Sequence, residues 1–66
     1  MDIILNGDPH QLPAGTTVLD LVASLGRDPR TVAVERNGEI VRRPDYAATV
    51  LMAEDRLEVV HFVQGG

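Results

Sequence analysis

The sequence predicts a small α+β domain of two strand pairs, one helix and a closing strand. Three observations carry this. Two Asn-Gly pairs, Asn6-Gly7 and Asn37-Gly38, are each flanked by apolar residues; one stretch of helical spacing lies between them; and the chain closes on a β-branched segment. The order is strand, strand, helix, strand, strand, short helix, strand, without repeats, linkers or low-complexity stretches.

The first hairpin joins residues 2–5 to a short strand around 10–12. Asn-Gly suits a type I′ turn, because both residues tolerate positive φ and the turn matches the twist of paired strands. Thr17 is the N-cap of the helix, with Asp20 three residues on to complete a capping pair and to favour the helix dipole. Val18, Leu21, Val22 and Leu25 then form one apolar stripe. Gly26 ends the helix and Pro29 prevents its resumption. The second hairpin pairs 31–36 with 39–42. Residues 44–48 read as a short helical turn in which Tyr46 plugs one end of the core with its hydroxyl at the surface.

The closing strand, 56–63, alternates. Leu57, Val59, His61 and Val63 share one face, on which His61 is expected to be a partly buried packing residue. Glu58, Val60 and Phe62 share the other. An edge strand covered on one side would leave Val60 and Phe62 in water, so the pattern suits a central strand whose second face, with Ile4 of the first strand, docks a partner. The competing reading buries Val60 and Phe62 under the segment around 43–50.

Composition narrows the function. The chain has 66 residues, enough for one domain, and 44% of them are hydrophobic. It has no cysteine, and its two histidines, His10 and His61, lack the spacing of a zinc site, so its stability must come from aliphatic packing. The net charge of −4 argues against nucleic acid and leaves room for a partner with a basic face. All six basic residues are arginine. That follows from a GC-rich genome, or it spares an activated acyl end from attack by lysine amines. Arg42-Arg43 reads as a solvated strand end or as a lure for an acidic partner. The start of the chain has neither a basic segment nor a long apolar run, so a cytoplasmic protein without signal peptide or membrane span is expected.

The sequence closes on Gln64-Gly65-Gly66. Two glycines lack Cβ and lie flat, so such a tail threads a channel that other residues would block. A carboxylate on Gly66 is a poor electrophile until activated, for example as an acyl-adenylate formed with ATP and Mg²⁺ on a partner enzyme. Without a cysteine the chain cannot carry a persulfide, so sulfur would be held as a thiocarboxylate on Gly66. No nucleophile–base pair, phosphate-cradling loop or metal cluster is legible, and the chain reads as a substrate of enzymes, not as an enzyme, with no bound cofactor.

Longer motifs then point to a family. Ile3-Ile4-Leu5-Asn6-Gly7, Gly15-Thr16-Thr17-Val18-Leu19-Asp20-Leu21, the run from Val32 to Val41, and Asp55-Arg56-Leu57-Glu58-Val59-Val60-His61-Phe62-Val63 ahead of Gly65-Gly66 stand in order over essentially the whole chain. The sequence resembles the sulfur-carrier proteins of thiamine thiazole biosynthesis, the ThiS family. The resemblance implies a ubiquitin-like β-grasp fold: a mixed five-stranded sheet, its first and last strands parallel and central, with one main helix on one face. It implies a single domain over 1–66 with 64–66 as a flexible tail.

The resemblance also implies partners. A ubiquitin-activating-like enzyme would adenylate Gly66, a cysteine desulfurase would supply sulfur, and thiazole synthase would receive it. Gly65 and Gln64 would thread the partner channel, and Ile4, Val60 and Phe62 would dock the partners of a protein that is monomeric when free. Three positions depart from the family pattern: Glu54 stands where glycine is common, Arg42 where proline is common, and Gln64 where a small residue is common. Two other classes stay open. One is a carrier of the same fold for molybdopterin, tRNA thiolation, cysteine or siderophore synthesis. The other is a protein modifier or plain binding module.

Overall fold

The structure, a computed structural model, describes residues 1–62. Five strands form one mixed sheet in the order β2-β1-β5-β3-β4, with a single α-helix against one face. The fold is the ubiquitin-like β-grasp expected from the sequence.

β1 (Asp2–Leu5) and β2 (Asp8–Gln11) pair antiparallel around Asn6-Gly7, and β3 (Val32–Arg36) and β4 (Glu39–Val41) pair around Asn37-Gly38. All four turn residues have positive φ, from 50° to 85°, which is the type I′ geometry that Asn-Gly favours. β2 tolerates Pro9 because it is an edge strand, where a missing N–H interrupts no ladder.

α1 (Val18–Ser24) begins where local chemistry dictates. The Thr17 hydroxyl accepts from the Asp20 N–H and the Asp20 carboxylate accepts from the Thr17 N–H, each at 3.1 Å. At the other end the Gly26 N–H bonds the Ala23 carbonyl and the Arg27 N–H bonds the Val22 carbonyl, closing a Schellman motif around the positive φ of Gly26. Hydrogen bonds from Val18 N to Thr49 O and from Leu51 N to Thr16 O tie the helix start to the segment before β5.

Val18, Leu21 and Val22 of α1 meet Ile3 and Leu5 of β1, Val32 and Val34 of β3, and Leu57 of β5 (Arg56–His61) in one aliphatic core. Leu12, Tyr46 and Leu51 close its margins. Alternation explains the membership, since every second residue of β1 and β3 points toward the helix. Tyr46 follows a 3₁₀ turn, Arg43–Asp45, and plugs the core as expected. Its hydroxyl does not reach the surface, however. It is buried and donates to the Val32 carbonyl at 3.5 Å. A second 3₁₀ turn, Pro29–Thr31, was not legible in the sequence.

His61 also departs from expectation. It lies on the helix-side face of β5, as its alternation predicts, but it is exposed. The reason is length: a seven-residue helix spans only about 10 Å, whereas a six-residue strand spans about 20 Å. The end of β5 therefore overhangs its cover.

Candidate functional site

β5 is the strand that leads to residues 63–66, and it is gripped along both edges. On one side it pairs antiparallel with β3 from Val32↔His61 to Arg36↔Leu57, and the Phe62 N–H extends the ladder to the Thr31 carbonyl at 2.8 Å. On the other side it runs parallel to β1, but that register covers only Ile4↔Arg56 and Leu5↔Leu57. Asn6 then extends the grip. Its backbone N–H bonds the Leu57 carbonyl at 2.9 Å, its side-chain oxygen accepts from the Val59 N–H at 2.9 Å, and its amide donates to the Val59 carbonyl at 3.3 Å. One carboxamide thus replaces a residue of strand just where β1 turns away.

The approach to β5 is fixed by Asp55, only 6% exposed. Its carboxylate accepts from Arg36 Nε at 2.8 Å, Asn37 Nδ2 at 3.0 Å and the Met52 N–H at 2.8 Å. Burial by itself raises a carboxyl pKa. Here the Met52 N–H, the Asn37 amide and the Arg36 guanidinium outweigh it and bring Asp55 below the ordinary carboxylate value. Asn37 also accepts from the Arg56 N–H at 2.9 Å, so the second hairpin turn is bolted to the first residue of β5. Glu54 holds φ +69°, the left-handed backbone that a glycine takes freely, and its N–H bonds the Asp2 carbonyl at 2.6 Å.

The sheet face away from the helix carries the three residues singled out for docking. Val60 is 56% exposed, Phe62 50%, and Ile4 is half-buried. Val60 lies opposite Ala33 of β3, and Ala33, Phe62 and Ile40 of β4 line one cleft. Ile40, 69% exposed, belongs to this apolar surface and was missed in the sequence, where a three-residue edge strand gives too little alternation to assign a face. Ile4 stands apart from it. Ile4 pairs with Arg56, four residues before Val60, and lines a separate hollow beside Pro9 and His10. The segment around 43–50 does not cover Val60 or Phe62. Gln64, Gly65 and Gly66, singled out as threading and attachment residues, lie outside the described residues, as does Val63.

Among the described residues no group of three His, Cys, Asp or Glu side chains could hold a metal ion, and no helix is long and apolar enough to cross a membrane. The described residues thus offer a rigid strand, an apolar face and no reactive cluster. Comparison with known proteins decides the family. The ThiS family model matches residues 3–66. The chain belongs to the ThiS family.

Individual relatives agree with that membership. A sulfur carrier protein ThiS from Bacillus subtilis is 44% identical over 63 residues, which cover 94% of this chain and 96% of that one. A solved structure of a thiamine biosynthesis protein (ThiS) from Geobacter metallireducens superposes with a TM-score of 0.85 at 30% identity, with both chains covered completely. A thiazole synthase from Magnetococcus marinus is 53% identical over all 66 residues of this chain, which make up 20% of that protein. The chain therefore spans about a fifth of the length of the thiazole synthases it matches.

Proposed function

We propose that this ThiS-family chain is a sulfur carrier of thiamine biosynthesis whose working group is the carboxylate of Gly66. The observation that carries the reading is the match, over nearly the full length of both chains, to a protein named as a sulfur carrier. Composition supports it. A chain without cysteine has no thiol to hold sulfur and must take it elsewhere.

In the proposed sequence the Gly66 carboxylate attacks the α-phosphorus of ATP on an adenylating partner, and pyrophosphate leaves. Sulfide then attacks the acyl carbon, or the persulfide of a cysteine desulfurase does so and a thiol reductant cleaves the resulting acyl disulfide; AMP leaves, and the thiocarboxylate remains. Mg²⁺ and basic groups of the partner balance the charge on phosphate, and the carrier itself holds no cofactor. Gly65 and Gln64 thread the partner channel. The four residues beyond Phe62 span at most about 14 Å, so the partner must seat the end of β5 close to its own reacting atoms. The held β5 and the apolar surface of Val60 and Phe62 suit that seating, with Ile4 as an outlying contact. Thiazole synthase is the proposed acceptor, because proteins of that name contain a segment matching this whole chain.

The test is the intact mass of the protein after incubation with ATP, Mg²⁺, the cognate adenylating enzyme and sulfide. The expected result is the gain of one sulfur-for-oxygen exchange, mapped to Gly66 and absent without ATP. An unchanged mass, with the enzyme active on another carrier, overturns the reading in favour of a binding module, which would keep its function after deletion of Gly65-Gly66.

A further inference from the structure

Beside the end of β5 lies an open cleft of about 500 Å³ whose charge is opposite to that of the molecule. The chain carries −4 overall, yet Arg30, Arg42 and Arg43 line this cleft and no aspartate or glutamate does. Half of the chain's six cations thus converge at one place. Among the described residues neither Arg42 nor Arg43 is ion-paired. Arg30 grips Asp28 through two nitrogens, at 3.2 and 2.8 Å, and the field of Arg43 also reaches that carboxylate. Asp28 is the acid behind the cleft, and Glu39 and Asp45 share a neighbouring hollow with Arg42, but none of the three lines the cleft itself.

The arginines stand on stiff backbone. Arg42 is the N-cap of the turn containing Pro44, closed by hydrogen bonds from Asp45 N to Arg42 O at 2.8 Å and from Tyr46 N to Arg43 O at 3.1 Å. Arg30 sits in the turn opened by Pro29 and capped by Asp28. Between them the floor is apolar, formed in part by Ala33, Ile40 and Phe62. Phe62 is also the last described residue before the glycine end, so anything filling the cleft lies at the root of residues 63–66.

We propose that this cleft receives an acidic segment of the adenylating partner, with its carboxylates on Arg30, Arg42 and Arg43 and an apolar side chain against Ile40 and Phe62. The proposal rests on the carrier reading for the identity of that partner. Charge complementarity selects an acidic occupant. The apolar floor selects a protein segment over a nucleotide, and the lining has no glycine whose bare backbone would cradle a phosphate.

The experiment is the rate of ATP–pyrophosphate exchange by the cognate adenylating enzyme, as a function of carrier concentration and of salt. It compares the wild type, the double variant Arg42→Ser with Arg43→Ser, and the control Arg27→Ser, which removes a charge outside the cleft. Superimposable amide spectra establish that each variant is folded. The double variant is expected to raise KM about tenfold with kcat within about twofold, and to flatten the rise of KM with salt, while the control does neither. Equal KM and equal salt dependence in wild type and double variant overturn the proposal and leave the carrier reading standing.

If the wild type supports no exchange, the carrier reading fails, and an amide-shift titration decides the cleft by itself. The probes are an acetyl-Asp-Leu-Glu-Glu-amide peptide and, separately, ATP. Shifts at Ile40, Arg42, Arg43 and Phe62 with the peptide, lost in the double variant, support an acidic segment. No shift, or the same shifts with ATP, overturns it.

Discussion

Asn6, Glu54 and Asp55 show how much of this protein rests on single side chains. Asn6 commits both halves of its carboxamide to Val59 while its backbone turns the first hairpin. Asn6→Gly keeps the turn and removes both bonds. It should cost about 1–2 kcal/mol in urea denaturation, with exchange of the Val59 amide accelerated. Glu54 is the converse case, a side chain where the backbone asks for none. The left-handed region costs a non-glycine residue about 1–2 kcal/mol, and glycine returns part of that gain as chain entropy. Glu54→Gly should therefore stabilise the protein by about 0.5–1 kcal/mol. An unchanged or lowered urea midpoint would show that the strain is relieved elsewhere.

At the scale of elements, α1 is too short to persist alone and relies on its caps and its buried stripe. Thr17→Ala removes the hydroxyl that accepts from the Asp20 N–H, leaving only the Asp20 carboxylate on the backbone N–H of residue 17, and should destabilise by about 1 kcal/mol, read from thermal unfolding. The elements that sequence reveals are those with local chemistry. Asn-Gly marks both hairpins, Thr17 and Asp20 mark the helix start, and Gly26 marks its end. What it does not reveal is non-local. Asn6 reaches Val59 across 53 positions and Arg36 reaches Asp55 across 19, and no spacing rule links either pair. The burial of His61 failed for a related reason: alternation assigns a face but not how far the opposing helix extends. The same limit hid the cleft, because Arg30 and Arg42 belong to different turns that meet only in the folded sheet.

For the whole molecule the margin is thin, as it is for any domain of this size without disulfide or metal. A change of 1 kcal/mol should move Tm by about 4–8 °C, so the Asp55 network is felt globally. The folded-state pKa of Asp55 lies below its ordinary value of 3.8. Its contribution is therefore complete above the ordinary carboxylate range and is lost as pH falls through the lowered folded value. Stability measured between pH 7 and pH 2.5 should fall at the acid end. In Asp55→Asn that fall should be smaller and the plateau at neutral pH lower. An identical acid slope in both proteins would assign the effect to other carboxylates.

The bolt between Asn37 and Asp55 also gives the protein a chemical clock. Asn37 precedes a glycine, the neighbour that least obstructs ring closure of an asparagine side chain onto the following peptide nitrogen, and asparagine is among the thermolabile residues. Ring closure expels ammonia and leaves a cyclic imide, and its hydrolysis by water would put a carboxylate where the amide that donates to Asp55 now stands, facing a second negative charge. Aged protein should therefore lose its grip on the start of β5 before any peptide bond is cut.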